Sequence, residues 1–439
     1  MDRHRSAELG ADFWRFFAGQ TISNLGSSVT LFVLPLLVYD LTGSALNLGI
    51  TTAAAFLPYA LFGLVIGAWV DRLDRKRLMI AVDLARASVI MTVPLLAWVD
   101  WLAVEVVYAV AFLMSTLTIA FDSAQFAAIP SLVGQRDLVA ANGRIQASFA
   151  AATIAGPPLA GLLAGAVALE TVLVFDAGSF VVSAASLALV RRRLNLPRAA
   201  APAGGQGIRR DVIDGLRYVL GHPVLRSISL MMALVNFVGT TTAAQLVLFA
   251  KERFDAGDGR VSLLFSAGGV GAILLSLAAG PLRRRLTFAP VALGALLLSG
   301  ALTVALAVTP SYWVALALQG VIVGLGTLFN INTGSLRQQI VPNHLLGRVI
   351  SVAGVLAFAA IPLGTLAGGW AIERSGDVQL VYAVIGGLVG LLALGFWRLS
   401  PLGHAEDFLP KVDLIGKSSH DVSGVEVAEE PRLGPAGAP

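Results

Sequence analysis

Apolar runs long enough to cross a bilayer recur twelve times along the chain, separated by polar loops. They are Phe16–Val38, Leu46–Val70, Leu78–Ala97, Leu102–Phe121, Ile145–Val167, Thr171–Val190, Ser227–Phe249, Val261–Leu282, Leu286–Val308, Tyr312–Phe329, Val349–Trp370 and Val378–Trp397. About 20 residues of helix span a hydrocarbon core of about 30 Å, so each run is predicted to be a transmembrane helix. The cations between the runs are unevenly shared. Of 31 Lys and Arg, 26 fall in the termini and in the loops after even-numbered runs. The opposite loops hold Lys251, Arg253, Arg260 and Arg374, and Arg86 lies inside the third run. Lys and Arg are retained on the cytoplasmic side. The pattern therefore predicts a multi-pass protein of the inner membrane with both termini cytoplasmic.

Composition agrees with that class. The chain is 56% hydrophobic and 13% charged, with a mean hydropathy of +0.79, far more apolar than a soluble domain. Its net charge of +4 belongs mostly to the inside loops and is no sign of a nucleic-acid partner. With no cysteine there is no disulfide, thiolate metal site or redox pair. The first run is too long for a signal core and is followed by Tyr39-Asp40, so it is expected to be retained.

The runs divide into two sets of six. The expected organisation is an amino-terminal bundle over 1–190, a cytoplasmic linker over 191–225, a carboxy-terminal bundle over 226–399 and a disordered tail over 400–439. The linker opens with Arg191-Arg192-Arg193 and passes through a Pro/Gly-rich joint. Ile208, Val212, Leu216 and Val219 then recur at helical spacing opposite Arg209, Arg210, Asp211 and Asp214, which predicts an amphipathic interfacial helix. The two bundles repeat one another. Ser123-x6-Pro130 matches Ser335-x6-Pro342, Gly143-Arg144 matches Gly347-Arg348, and Pro158-Leu159 matches Pro362-Leu363. Parallel repeats of this kind build one large class of secondary transporters, with the solute site between the halves.

The loop after the second run reads Gly67-Ala68-Trp69-Val70-Asp71-Arg72-Leu73-Asp74-Arg75-Lys76-Arg77. Glycine permits close approach at a tight turn, and an acid here can cap the next helix or pair with the following cations. Inside-positive charge alone explains the basic run but not the Gly and Asp ahead of it. At this loop the chain resembles the major facilitator superfamily, whose signature is Gly-x-x-x-Asp-Arg-x-Gly-Arg-Arg/Lys. Gly67, Asp71, Arg72, Arg75 and Lys76 match, and Asp74 stands where the family has its second Gly. The resemblance implies an all-α integral membrane protein of twelve transmembrane helices in two pseudo-symmetric halves. It also implies that the five matching residues form a gating loop that steadies one conformational state.

The fifth run carries Ala155-Gly156-Pro157-Pro158-Leu159-Ala160-Gly161. Prolines kink a helix by removing donors, and glycines admit a neighbouring backbone, so a kinked packing face accounts for the run physically. Gly156, Pro157, Pro158 and Gly161 also resemble the span-five signature of exporters in the superfamily. Tyr39-Asp40-Leu41-Thr42-Gly43 and Asp214-Gly215-Leu216-Arg217-Tyr218 resemble the branch of drug:proton antiporters that includes macrolide-efflux and enterobactin-exporter type proteins. The likeness covers residues 13–399. It implies a secondary active transporter, monomeric and without cofactor, exporting a bulky amphipathic small molecule against protons. An importer or a lysophospholipid flippase of the same fold is the nearest alternative, and a non-transporting membrane sensor a more remote one.

Ionisable residues inside the runs are few, and each costs roughly 2.5–3.5 kcal/mol at a helix centre unless compensated. Asp83 and Arg86 stand three apart in the third run and are expected to form a structural ion pair. Glu105, Asp122 and Asp176 are the candidates for proton coupling. Glu105 and Asp176 have apolar neighbours in sequence and are expected to be buried one to two turns from the outer face. Gln20, Asn24, Ser27 and Ser28 share a face of the first run. Asn24, Ser28 and Asn236 are the candidate cavity residues, with Phe32, Phe56 and Phe237 as apolar wall.

Other classes find little support. All five histidines lie outside the apolar cores, and neither a zinc-protease nor a serine-hydrolase motif is present. Gly416-Lys417-Ser418 lacks the first glycine of a phosphate loop, where Lys411 stands. No catalytic residue, metal, nucleotide or nucleic-acid partner is expected; the partners are a small molecule, protons and the bilayer.

Overall fold

The computed structural model describes residues 10–70, 73–194 and 208–408. Among them, 12 helices are long and apolar enough to cross a membrane, and there is no strand. They are numbered here as spans one to twelve. Most follow the apolar runs closely. Spans four and ten continue past them, to Val133 and Ile340, because helical hydrogen bonding persists after hydropathy falls.

Proline punctuates the interior. Helical structure is continuous over Val104–Ala164, which contains spans four and five with Pro130, Pro157 and Pro158 inside it. These 61 residues would form a straight rod of about 90 Å at 1.5 Å per residue. The run turns back instead, since Val107 near its start and Ala160 near its end share one core. Span eleven breaks at Ala359, between helices Asn343–Phe358 and Ala360–Ser375. Pro362 sits in the first turn of the second piece, where its missing donor is tolerated. Span nine opens with a π-turn over Ala289–Leu293.

An even number of spans puts both chain ends on one side, called the terminal side here. The distribution of cores shows how the halves meet. Away from the terminal side they share one core, in which Phe32 and Leu36 of span one join Val261 and Leu264 of span eight and Tyr382 of span twelve. On the terminal side the cores are separate. Phe13, Met79, Ala128 and Leu187 centre one, entirely from the first half, and Val224, Phe288, Leu336 and Ala393 centre another, from the second.

Polar contacts follow the same division. Ser44 donates to Glu373 at 3.0 Å, Gln245 Nε2 donates to the Ala45 carbonyl at 2.7 Å, and Lys251 pairs with Asp40 at 3.0 Å. Lys251 also pairs with Asp258 at 3.0 Å, and it lies on a short helix, Leu246–Phe254, outside the spans. Aromatic pairs join the halves nearer mid-membrane: Phe32 with Phe265 at 5.4 Å, and Phe56 with Phe358 at 6.4 Å. The molecule is thus closed on the side away from its termini.

Two expectations about the ends need revision. The amphipathic linker helix is present over Ile208–Gly221, but span seven starts at Pro223, inside the expected linker. The tail does not lose order at Ser400. Pro401–Phe408 forms 3-10 turns on either side of a kink at His404 and buries Leu402 and Ala405 in the second-half core, because a hydrophobic pair there outweighs the polar composition around it. Residues 409–439 lie outside the described residues.

Candidate functional site

Of the five residues expected to form a gating loop, Asp71 and Arg72 lie outside the described residues, and Gly67 lies in the last turn of the helix Ala45–Val70. Asp74 caps span three, accepting from the Arg77 amide at 2.9 Å. A carboxylate cap thus replaces the family glycine and satisfies an otherwise orphan donor. Arg75 donates to the Ala127 carbonyl at 2.9 Å, and Lys76 donates to the carbonyls of Val190 and Ala188 at 2.6 and 3.0 Å. Lys76 therefore places its charge at the carbonyl end of span six, where a cation is favoured.

Deeper in the first half, a polar chain crosses three spans. Gln20 of span one donates to Ser183 of span six at 2.8 Å, and Ser183 donates to Asp83 of span three at 2.7 Å. Arg86 lies 3.5 Å from Asp83, reaches the Leu117 carbonyl at 3.5 Å and stacks over Phe121 at 4.5 Å. Both members of the pair are buried, so removing one would strand the other. The pair expected from the sequence is present, and Gln20 and Ser183 complete it. No local signal in the chain marked Ser183 as its partner.

The three coupling candidates fall in different surroundings. Asp176 is fully buried between spans one and six; Thr30 donates to its Oδ2 at 2.5 Å and Ser179 to its Oδ1 at 3.1 Å. Gly26 makes room for it, since a Cβ there would lie 2.5 Å from Oδ1. Asp122 keeps exposed surface and lies within electrostatic reach of Arg86 and Tyr59. Glu105 departs from the expectation. It occupies the first turn of span four and is exposed, because the helix starts only at Val104 and its amino end suits an acid.

A cavity of about 270 Å³ opens between spans one, five and eight. Asn24, Ser27, Ser28 and Thr153 contribute polar groups; Leu31, Phe32, Phe149, Pro157 and Phe265 contribute apolar wall. Asn24, Ser28 and Phe32 thus line it. Asn236 is elsewhere, donating to the Ala357 carbonyl of span eleven at 2.9 Å. Phe56 belongs to the second aromatic contact between halves, and the Phe237 backbone packs on Gly364. The shared polar face of span one is divided: Gln20 turns into the buried chain, while the residues from Asn24 on face the cavity. Thr153 and Phe265 escaped the sequence reading, although Thr153 stands four residues before Pro157, the position whose carbonyl a proline releases. Among the described residues no cluster of potential metal ligands occurs.

The comparisons with known proteins match this architecture. The multidrug efflux pump Tap of Mycolicibacterium fortuitum is 30% identical over 384 residues, covering 82% of this chain and 88% of its own. Macrolide efflux protein A of Streptococcus pyogenes is 26% identical, covering 86% and 92%. Among solved structures, the nucleoside transporter NupG superposes with a TM-score of 0.72 at 14% identity, over 88% of this chain and 98% of its own, a likeness of fold alone. The family model described as transmembrane secretion effector matches residues 9–422. The chain belongs to that family and has the major facilitator fold.

Proposed function

We propose that the protein is a proton-coupled exporter of bulky, partly apolar solutes, seated in the inner membrane with its terminal side in the cytoplasm. It works as a monomer, with the proton gradient as its energy source and no cofactor. The cavity beside Asn24 carries this reading. It mixes hydrogen-bonding groups with aromatic wall between two halves whose cores are joined on one side and separate on the other. Two relatives bear the names of efflux proteins, and the positive loops lie on the terminal side. Solute would enter from the cytoplasm in this state and leave after the halves rock open on the other side.

Asp176 is the proton carrier in this reading. As a carboxylate it accepts from Thr30 and Ser179. On taking a proton it becomes a donor itself, so one of those hydroxyls must rotate its hydrogen elsewhere and accept; Ser179 already has the Asp176 carbonyl at 2.8 Å as an alternative acceptor. Thr30 is two residues from Ser28 of the cavity wall, and the contact lies where Gly26 lets spans one and six pack closely. Proton uptake would therefore act on the helix that holds the solute. In inverted vesicles, adding a lipophilic drug should collapse a preset pH gradient, and Asp176→Asn should abolish uphill efflux while sparing downhill exchange. Accumulation of the drug in intact cells under the normal gradient would instead show import.

A further inference from the structure

Pro157 and Pro158 lack the amide hydrogens that a helix would direct at the carbonyls of Thr153 and Ile154. The Ile154 carbonyl lies 3.3 Å from Ser266 Oγ of span eight, which shares its one hydrogen with the Ser262 carbonyl of its own helix at 3.0 Å. The Thr153 carbonyl loses its helical donor beside the cavity, while the Thr153 hydroxyl is committed to the Phe149 carbonyl at 3.0 Å. Across the cavity, neither the amide nitrogen nor the Oδ1 of Asn24 bonds to a protein group among the described residues, and nor do the Ser27 and Ser28 hydroxyls. No lining side chain is charged. The buried carboxylates nearby are already engaged, Asp176 by Thr30 and Ser179, Asp83 by Ser183 and Arg86.

Unpartnered polar groups in an apolar wall are satisfied by a solute that brings complementary ones, and leaving them unmade is costly. A permanent cation would lose its hydration here and meet no counter-charge. We propose that this cavity binds uncharged, ring-bearing lipophiles that carry a hydroxyl or amide N–H, with that donor directed to the Thr153 carbonyl and the Asn24 side chain, and that it discriminates against permanent cations. The proposal rests on the exporter reading only for the transport that follows binding. Under it, the paired prolines of span five serve cargo recognition as well as helix shape.

The test is equilibrium binding to the full-length protein in lipid nanodiscs, with radiolabelled estradiol, its dimethyl ether and tetraphenylphosphonium as probes. Estradiol should bind saturably, and the ether and the cation should each bind about tenfold more weakly, the scale of one or two lost hydrogen bonds. Asn24→Ala should weaken estradiol by a similar factor and leave the ether within about twofold. The alcohol–ether comparison uses the unaltered protein, so it does not depend on the variant folding. Equal affinity for alcohol and ether, cation binding as tight as estradiol, or no saturable estradiol binding would each overturn the proposal. Vesicle transport separates the two readings. Binding of estradiol without uphill movement sinks the exporter, and export of the cation without estradiol binding sinks this site.

Discussion

Ser266 of span eight stands 3.3 Å from the carbonyl of Ile154 in span five, a group that Pro158 sets free, and divides its hydroxyl hydrogen between that carbonyl and the Ser262 carbonyl at 3.0 Å, so it links the two halves. The double proline is therefore an inter-half contact as well as a kink. Toward the closed side the same seam tightens: a Cβ on Gly161 would lie 2.8 Å from Ser262 Oγ. The other seam repeats the device with the glycine on the opposite partner, where Gly49 of span two leaves room for the Thr365 carbonyl, 2.5 Å from an added Cβ. Gly161 follows Pro158 by three residues, as Thr365 follows Pro362. Equivalent positions of the internal repeat thus meet the opposite half in both seams.

Gly161→Thr should open the closed side, because its side chain must displace Ser262. Adding Ser262→Gly should restore closure by exchanging the two residue sizes. Spin-label distances across spans five and eight would report this as a longer, broader distribution for the single variant and a return toward the parent in the double. An unchanged distribution in Gly161→Thr would remove the seam from the gating account.

Lys251 holds Asp40 of the first half and Asp258 of the second, and it is 18% exposed. Burial alone would lower its pKa, but hydrogen bonds and charge from both aspartates outweigh that and raise it above the usual 10.5. A raised lysine pKa means that the link is complete below the ordinary range and is lost only as pH rises through the raised value. Closure should therefore be insensitive to this link between pH 6 and about 9. Lys251→Met should weaken closure by about 1 kcal/mol or less, as for other partly exposed pairs, seen as a modest population shift in the same spin-label measurement.

Asp74→Ala removes the cap of span three and should cost about 1 kcal/mol, within the range for lost amino-terminal caps. Asp74→Gly, which recreates the family signature, should cost only a few tenths of a kcal/mol. Thermal unfolding in detergent distinguishes the two. Equal large losses would mean that Asp74 has a role other than capping.

Glu406 ties the segment after span twelve to the junction of spans eight and nine, with Oε1 accepting from the Phe288 amide at 2.5 Å and from Arg283 at 3.2 Å. Glu406→Ala should lower stability by about 1–3 kcal/mol by leaving the Phe288 donor unpaired, while Glu406→Gln keeps the acceptor and should lose less. Leu402→Ala, at a fully buried site, should cost about 2–5 kcal/mol. Stability unchanged in all three would show that the docked segment contributes nothing to the fold.

The chain by itself determined the class, the twelve spans, the two halves and the amphipathic linker helix, because each is written in local period or in charge summed over short loops. It also marked Asp83 with Arg86, whose spacing of three on one helix needs no other information. It overestimated the burial of Glu105, because apolar neighbours in sequence do not reveal where a helix begins. It misjudged the start of the tail for a related reason: Leu402 and Ala405 are only two apolar residues, and nothing nearby announces the core they enter.

Tertiary structure decided what each polar residue of a span is for. A transmembrane helix presents several faces, and its sequence does not say which neighbour each will meet. Gln20 and Asn24 are one turn apart, yet Gln20 is claimed by Ser183, 163 residues away, while Asn24 is left to the cavity with Thr153 and Phe265. Asn24 and Asn236 hold comparable places in the repeat, but packing spends the second on the Ala357 carbonyl. Hydropathy places a helix in the membrane; only close packing against distant helices assigns its faces, because contact energies of this kind fall away within a few ångströms.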